Sequence, residues 1–170
     1  VEQLEGMPLS ASALEAEVLP ARVEKYRSGE LDMLCAAGEI VWAGVESLGP
    51  SDGRVALYLT DRLRLLAAPP RTVEGELAAK IRALLATRGA LFFSDLTMHT
   101  GAFSPDLLGA LWEMVWAGEV TNDTLAPLRS FLQGAAADQP SKRAMRSISF
   151  RSRRVGPPGS EGRWSLLPHV

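Results

Sequence analysis

Apolar positions in this chain recur at helical spacing in some stretches and at strand spacing in others. The clearest run is Val73, Leu77, Ile81, Leu84 and Leu85, which fall at i, i+4, i+8, i+11 and i+12. They share one face of a 3.6-residue helix that Gly89 ends. Ser104-Pro105-Asp106 reads as an N-cap, an N1 proline and a first-turn acid. Leu107, Leu108, Leu111, Met114 and Val115 form the stripe of that helix, and Gly118 closes it. Upstream, Ser12 and Glu15 have capping-box spacing, with Leu14, Val18 and Leu19 on one side. That predicts a helix over about 12–25, kinked at Pro20. Leu31, Leu34 and Cys35 mark a shorter helix stopped by Gly38, and another at about 93–99 precedes Gly101. Ile40-Val41-Trp42 and residues 55–59 read as strands joined through the turn residues 49–53, a hairpin. A further extended stretch starts at Val120, followed by a turn at Asn122-Asp123 and the apolar Leu125, Leu128, Phe131 and Leu132. Residues 67–70, Ala-Ala-Pro-Pro, are a linker candidate. Residues 133–162 lack sustained periodicity, and strand character returns at Trp164-Ser165-Leu166-Leu167.

Two stretches match at an offset of 80 residues. Leu31 through Ile40 lies over Leu111 through Val120, each an apolar-striped helix, then Ala-Gly-Glu, then a strand. The glycine has a physical reason, since a residue with positive φ lets the chain leave a helix and enter a strand. Downstream, Gly53-Arg54-Val55-Ala56-Leu57 resembles Gly162-Arg163-Trp164-Ser165-Leu166. Helices followed by a strand pair is the layout of a winged helix. The expected fold is therefore mainly α with small β-hairpins (α+β), in tandem winged-helix units. Residues 1–68 form the first unit and 69–133 with 162–170 the second; residues 134–161 are a basic insertion rich in Gly, Pro and Arg, at the tip of the second wing. The opening Val1-Glu2-Gln3-Leu4-Glu5-Gly6 reads as the end of a helix, which predicts a chain cut from a longer one, with the first unit's opening helix truncated.

Charge changes this picture. The net charge is −2 over 170 residues, but residues 1–140 carry 11 basic and 19 acidic side chains, while 141–170 carry seven basic and one acidic. An acidic body with a cationic segment predicts electrostatic docking. The basic residues are Lys142, Arg143, Arg146, Arg151, Arg153, Arg154 and Arg163. Guanidinium forks next to Gly and Pro suit phosphate oxygens, which makes them the candidate nucleic-acid contacts; a solvated loop or a protein-docking site is the other reading. Trp42, Trp112, Trp116 and Trp164 either stack on bases or seal a small core.

Other chemistry finds little support. A single cysteine, Cys35, excludes an intrachain disulfide framework, and two histidines make no metal centre. No Gly-x4-Gly-Lys-Ser/Thr phosphate loop and no Gly-x-Ser-x-Gly elbow is present. His99 has no nucleophile pattern attached to it, and Asp95, Asp106, Glu113 and Asp123 are scattered carboxylates suited to capping and solvation. No apolar run is long enough for a membrane span, and no signal-peptide pattern follows Val1. A cytoplasmic location is expected.

The run Leu111-Trp-Glu-Met-Val-Trp-Ala-Gly-Glu-Val-Thr-Asn-Asp-Thr-Leu-Ala-Pro-Leu-Arg129 resembles a signature of the bacterial large helicase-related (Lhr) proteins. So do residues 31–42, Leu48-Gly49-Pro50, residues 52–57 and Gly162-Arg163-Trp164-Ser165-Leu166-Leu167. The resemblance implies a segment of the family's C-terminal extension, built of tandem winged helices. It implies a parent chain that hydrolyses ATP with magnesium, moves 3′ to 5′ on single-stranded DNA and unwinds it in DNA repair. No cofactor is implied for this segment, and no catalytic residue is carried onto it. Three readings stay open: a non-catalytic segment that binds single-stranded or duplex DNA, a protein–protein module forming a homo-oligomer, and part of a glycosylase region acting on uracil in DNA.

Overall fold

The helix–glycine–strand junction occurs twice in a computed structural model that describes residues 1–137 and 156–168. Helix α2 (Ser28–Ala36) ends at Ala37, and Gly38 follows at φ +74°. Helix α6 (Ser104–Trp116) ends at Ala117, and Gly118 follows at φ +77°. In each, the glycine N–H reaches the carbonyl three residues back: Gly38 to Cys35 at 3.0 Å and Gly118 to Val115 at 2.9 Å. The next glutamate N–H reaches five back, Glu39 to Leu34 at 3.0 Å and Glu119 to Met114 at 2.9 Å. This pair of bonds satisfies carbonyls that a helix end leaves unpaired. A Cβ on Gly38 would meet no atom within 4 Å, so Gly38→Ala isolates the backbone cost. That substitution is expected to lower stability by about 1–2 kcal/mol in a urea titration.

The two junctions sit in two copies of one topology. In the first, β1 (Leu9–Ser10) is followed by a short helix α1 (Ala11–Ala13), by α2, and then by β2 (Ile40–Ser47) and β3 (Gly53–Leu59). In the second, helices α4 (Glu76–Arg88), α5 (Phe93–Thr100) and α6 surround β4 (Leu91–Phe92), and β5 (Val120–Asn122) and β6 (Arg163–Leu166) follow. Each sheet is antiparallel, with the last strand central: β1-β3-β2 and β4-β6-β5. This is the α+β winged-helix arrangement in tandem. A four-residue helix α3 (Leu63–Leu66) lies between the units.

Several local expectations give way to longer-range contacts. Ser12 does not form a capping box; its N–H and Oγ both bond the Asp52 carboxylate in the first wing, at 3.2 and 2.5 Å. The helix expected over 12–25 is a single α-turn that widens into a π-turn over Leu14–Val18, where the Leu19 N–H reaches Leu14 at 2.9 Å. Phe103, not Ser104, is the N-cap of α6, with Pro105 in its first turn. The opening residues form a 3-10 turn, Glu2–Leu4. Helix α7 (Ala126–Ala137) stands between β5 and β6, over the apolar Leu128, Phe131 and Leu132, for which no element was expected, and the first residues of the expected insertion.

One apolar core runs through both units. Leu31, Trp42 and Leu57 of the first share it with Ile81, Leu96, Leu111, Met114 and Trp164 of the second. Gly44 in β2 lies so close to α6 that a Cβ there would collide with the Val115 main-chain carbonyl. Polar bonds cross the same seam: Trp42 Nε1 donates to the Thr124 carbonyl at 3.0 Å and Thr121 Oγ1 to the Trp42 carbonyl at 2.6 Å. Downstream of the linker candidate, the Arg71 N–H bonds the Ala117 carbonyl at 2.9 Å, so the connection is packed rather than free.

Candidate nucleic-acid interface

The stems of the basic segment are held on the second unit by a dense set of contacts. The Trp112 ring stacks near Trp116, Phe131 and Trp164, with centroids 5.4, 4.5 and 6.0 Å away. From this cluster Trp112 Nε1 donates to the Gly159 carbonyl at 3.2 Å. Ser130 Oγ on α7 donates to Glu161 Oε1 at 2.7 Å, and the Gly159 N–H to Glu161 Oε2 at 2.9 Å. The Asn122 side-chain amide donates to the Glu161 carbonyl at 2.8 Å. The chain therefore leaves along α7 and returns against it. All four tryptophans are 0–7% exposed, which decides for a sealed core over base stacking.

Of the candidate contacts, Lys142, Arg143, Arg146, Arg151, Arg153 and Arg154 lie outside the described residues. Arg163 is described, on β6. Its N–H and Nε bond the two oxygens of Asp123, each at 2.7 Å, and its side chain is half exposed.

The helices that follow each first turn carry no cation. In helix-turn-helix proteins the corresponding helix enters the major groove. Here α2 exposes Ser28, Gly29, Glu30 and Met33, and α6 exposes Pro105, Asp106, Gly109 and Glu113. Acids on these lines repel a phosphate backbone. Three cations outside the candidate set, Arg22, Lys25 and Arg27, are exposed in the turns leading into α2, and their side chains bond no described residue. Their spacing was visible, but the acidic total of residues 1–140 concealed them.

Two other arginines are taken up internally. Arg129 on α7 binds Glu15 at 2.5 Å and Asp32 at 2.7 Å, tying α7 to the first unit. Burial alone would lower its pKa, but the hydrogen bonds to Glu15 and Asp32 outweigh that and hold it above the ordinary value. Burial and the Glu15 bond raise the Tyr26 hydroxyl well above its usual range. Arg82 binds the buried Glu119 carboxylate at 2.6 Å, and its pKa is raised by that bond. Glu119 also accepts the Val73 N–H at 2.5 Å.

The remaining candidates for chemistry have structural roles. Cys35 is buried, and burial with the Asp32 charge pushes its thiol up to about 12, so it stays protonated at neutral pH. His99 Nε2 lies 2.7 Å from Arg88 Nη1. Asp95 accepts the Phe92 N–H at 3.2 Å, at the start of α5. Among the described residues no group of three or more His, Cys, Asp or Glu is placed to hold a metal ion, and no helix is long and apolar enough to cross a membrane.

Comparison with known proteins gives this geometry a relationship. A family model described as "Large helicase-related protein, winged-helix domain" matches residues 1–60. The chain is 40% identical over 182 residues to "Lhr helicase/ probable uracil glycosylase" of Mycolicibacterium smegmatis, which covers 99% of this chain and 12% of that protein. It is 36% identical over 186 residues to "Lhr helicase/uracil glycosylase" of Escherichia coli, covering 98% of this chain and 12% of that protein. The chain thus spans about an eighth of the length of either relative.

Proposed function

This chain belongs to the large helicase-related (Lhr) protein family, and from that premise we propose that it is a non-catalytic DNA-binding and assembly segment of an ATP-dependent 3′-to-5′ DNA helicase acting in DNA repair. The observation that carries the reading is the platform under the basic segment. Glu161, Gly159 and Trp112 pin the described residues that flank the cation-rich stretch to α7 and α6. Phosphate contacts made this way position DNA without reading bases. They also account for a winged helix whose α2 and α6 lack cations: the insertion, not a helix in the groove, supplies the positive charge. ATP and magnesium belong to a motor part of the parent, since this chain has no phosphate loop to hold them.

Fluorescence anisotropy at two salt concentrations tests the reading. Changing Arg151, Arg153 and Arg154 together to Ala is expected to weaken DNA binding and flatten the salt slope by roughly two to three units, at about 0.7–0.9 per lost phosphate contact. Unrelated DNA sequences should lose affinity about equally. The acidic lines on α2 and α6 favour a second reading, docking to another protein or another copy of this chain. It predicts unchanged affinity and slope in the triple variant, and an assembly indifferent to DNA.

A further inference from the structure

At the foot of the basic segment lies a cleft of about 370 Å³, lined by Phe92, Phe93, Ser94, Gly156, Ser160, Glu161 and Gly162. Phe93 is buried beneath it, whereas Phe92 is 53% exposed. Antiparallel pairing sets Phe92 directly opposite Arg163. Opposed residues on neighbouring strands project from the same face, with Cβ atoms about 4.5–5.5 Å apart. Arg163 gives Nε to Asp123, and its two terminal nitrogens have no partner among the described residues. Because Asp123 also accepts the Arg163 main-chain N–H, the guanidinium is aimed in advance rather than left to find its direction.

We propose that this cleft takes one unpaired nucleobase of single-stranded DNA, stacked on Phe92, with the adjoining phosphate on the terminal nitrogens of Arg163; this assignment rests on the DNA-binding reading above. A base offers a flat apolar face and a polar edge, and stacking on an aromatic ring tolerates any base. The base must be unpaired, because in a duplex its neighbours cover both faces and its partner occupies the edge. Polar groups for that edge are present. Ser160 Oγ donates to the Pro157 carbonyl at 2.6 Å, which leaves its lone pairs as acceptors, and the Ser94 hydroxyl has no partner among the described residues. The Glu161 carboxylate, also in the lining, accepts bonds from Ser130 and Gly159. Gly162, at φ +72°, permits the turn into Arg163; a Cβ there would collide with the Asn122 side chain. Charge decides between occupants. The half-exposed Arg163 guanidinium opposite the exposed Phe92 ring suits a polyanion carrying flat apolar groups rather than an apolar peptide.

The test uses the whole 170-residue chain and an oligodeoxynucleotide containing 2-aminopurine, offered single-stranded and in a blunt duplex. Phe92→Ala is expected to weaken single-strand binding about 5- to 100-fold and to change duplex binding by less than about two-fold. Phe92→Tyr should bind like the parent. Stacking should quench the 2-aminopurine fluorescence with the parent and Phe92→Tyr, and not with Phe92→Ala. Equal losses on single strand and duplex, or full single-strand affinity in Phe92→Ala, would overturn the proposal. Absence of quenching with the saturated parent chain would do the same without any variant. If the Arg151, Arg153 and Arg154 replacement weakens binding while Phe92→Ala does not, the cleft assignment alone falls. A parent chain that binds no DNA removes both readings.

Discussion

Leu111→Ala is expected to lower the unfolding free energy by about 2–5 kcal/mol, the range for a buried leucine whose neighbours relax only partly. Leu111 is fully buried in α6, on one stripe with Leu107, Met114 and Val115, which are equally inaccessible. Helix α6 packs against α4 and β5 of its own unit and against β2 of the other. Leu111 belongs to the apolar cluster that holds residues of both units. Since the apolar core is continuous, the two winged helices should unfold in one transition, shifted to lower denaturant concentration with an unchanged slope. A variant that melts like the parent, or loses only one of two separate transitions, would show that the units do not share this core.

Arg129→Met is expected to cost about 2–3 kcal/mol. Methionine keeps much of the stem's packing and removes the charge. Arg129 holds Glu15 through Nε and Nη2 at 2.5 and 3.0 Å, and Asp32 through Nη1 and Nη2 at 2.7 and 3.1 Å. Without it, two carboxylates face one another with no cation between them. Asp32 would still accept the Leu125 N–H at 2.8 Å, and Glu15 the Tyr26 hydroxyl at 2.5 Å, so neither is easily withdrawn to solvent. Breaking a fully buried pair costs about 3–5 kcal/mol; the Arg129 side chain is 24% exposed, and water screens part of that loss. Adding Glu15→Gln and Asp32→Asn to the arginine variant should recover much of the stability, because the repulsion disappears. Denaturant titration of the single and combined variants measures the coupling. Additive losses would mean that the three side chains act independently.

Much of this architecture was legible locally. Pro105, Gly118 and the Leu107–Leu111 spacing mark α6, and the same signals in weaker form mark α2 and Gly38. Caps, left-handed glycines and apolar periodicity act within a few residues, so their consequences survive into the fold. The capping box at Ser12 did not survive, because Asp52, forty residues away, offered both its N–H and its hydroxyl a charged acceptor. Helix α7 escaped notice for a related reason. Leu125, Leu128 and Leu132 have helical spacing, but a run of small residues follows from Gly134, and the helix gains its partners from distant Glu15, Asp32 and Glu161.

The candidate site divides along the same line. The sequence sufficed for the repeated winged-helix layout, the family relationship and the concentration of positive charge near the end of the chain, since these depend on residue order and count. It did not distinguish an available arginine from a consumed one. Arg82 and Arg129 look no different in sequence from Arg22 or Arg27, yet the first two neutralise Glu119, Glu15 and Asp32, and the others face water. Nor did it distinguish the aromatic rings: all four tryptophans went inside, while Phe103 and Phe92 were left exposed, Phe92 opposite Arg163. Charge count and ring count are additive along a chain. Access to a ligand is a property of packing, and only the tertiary contacts of α7, β4 and β6 decided which groups kept it.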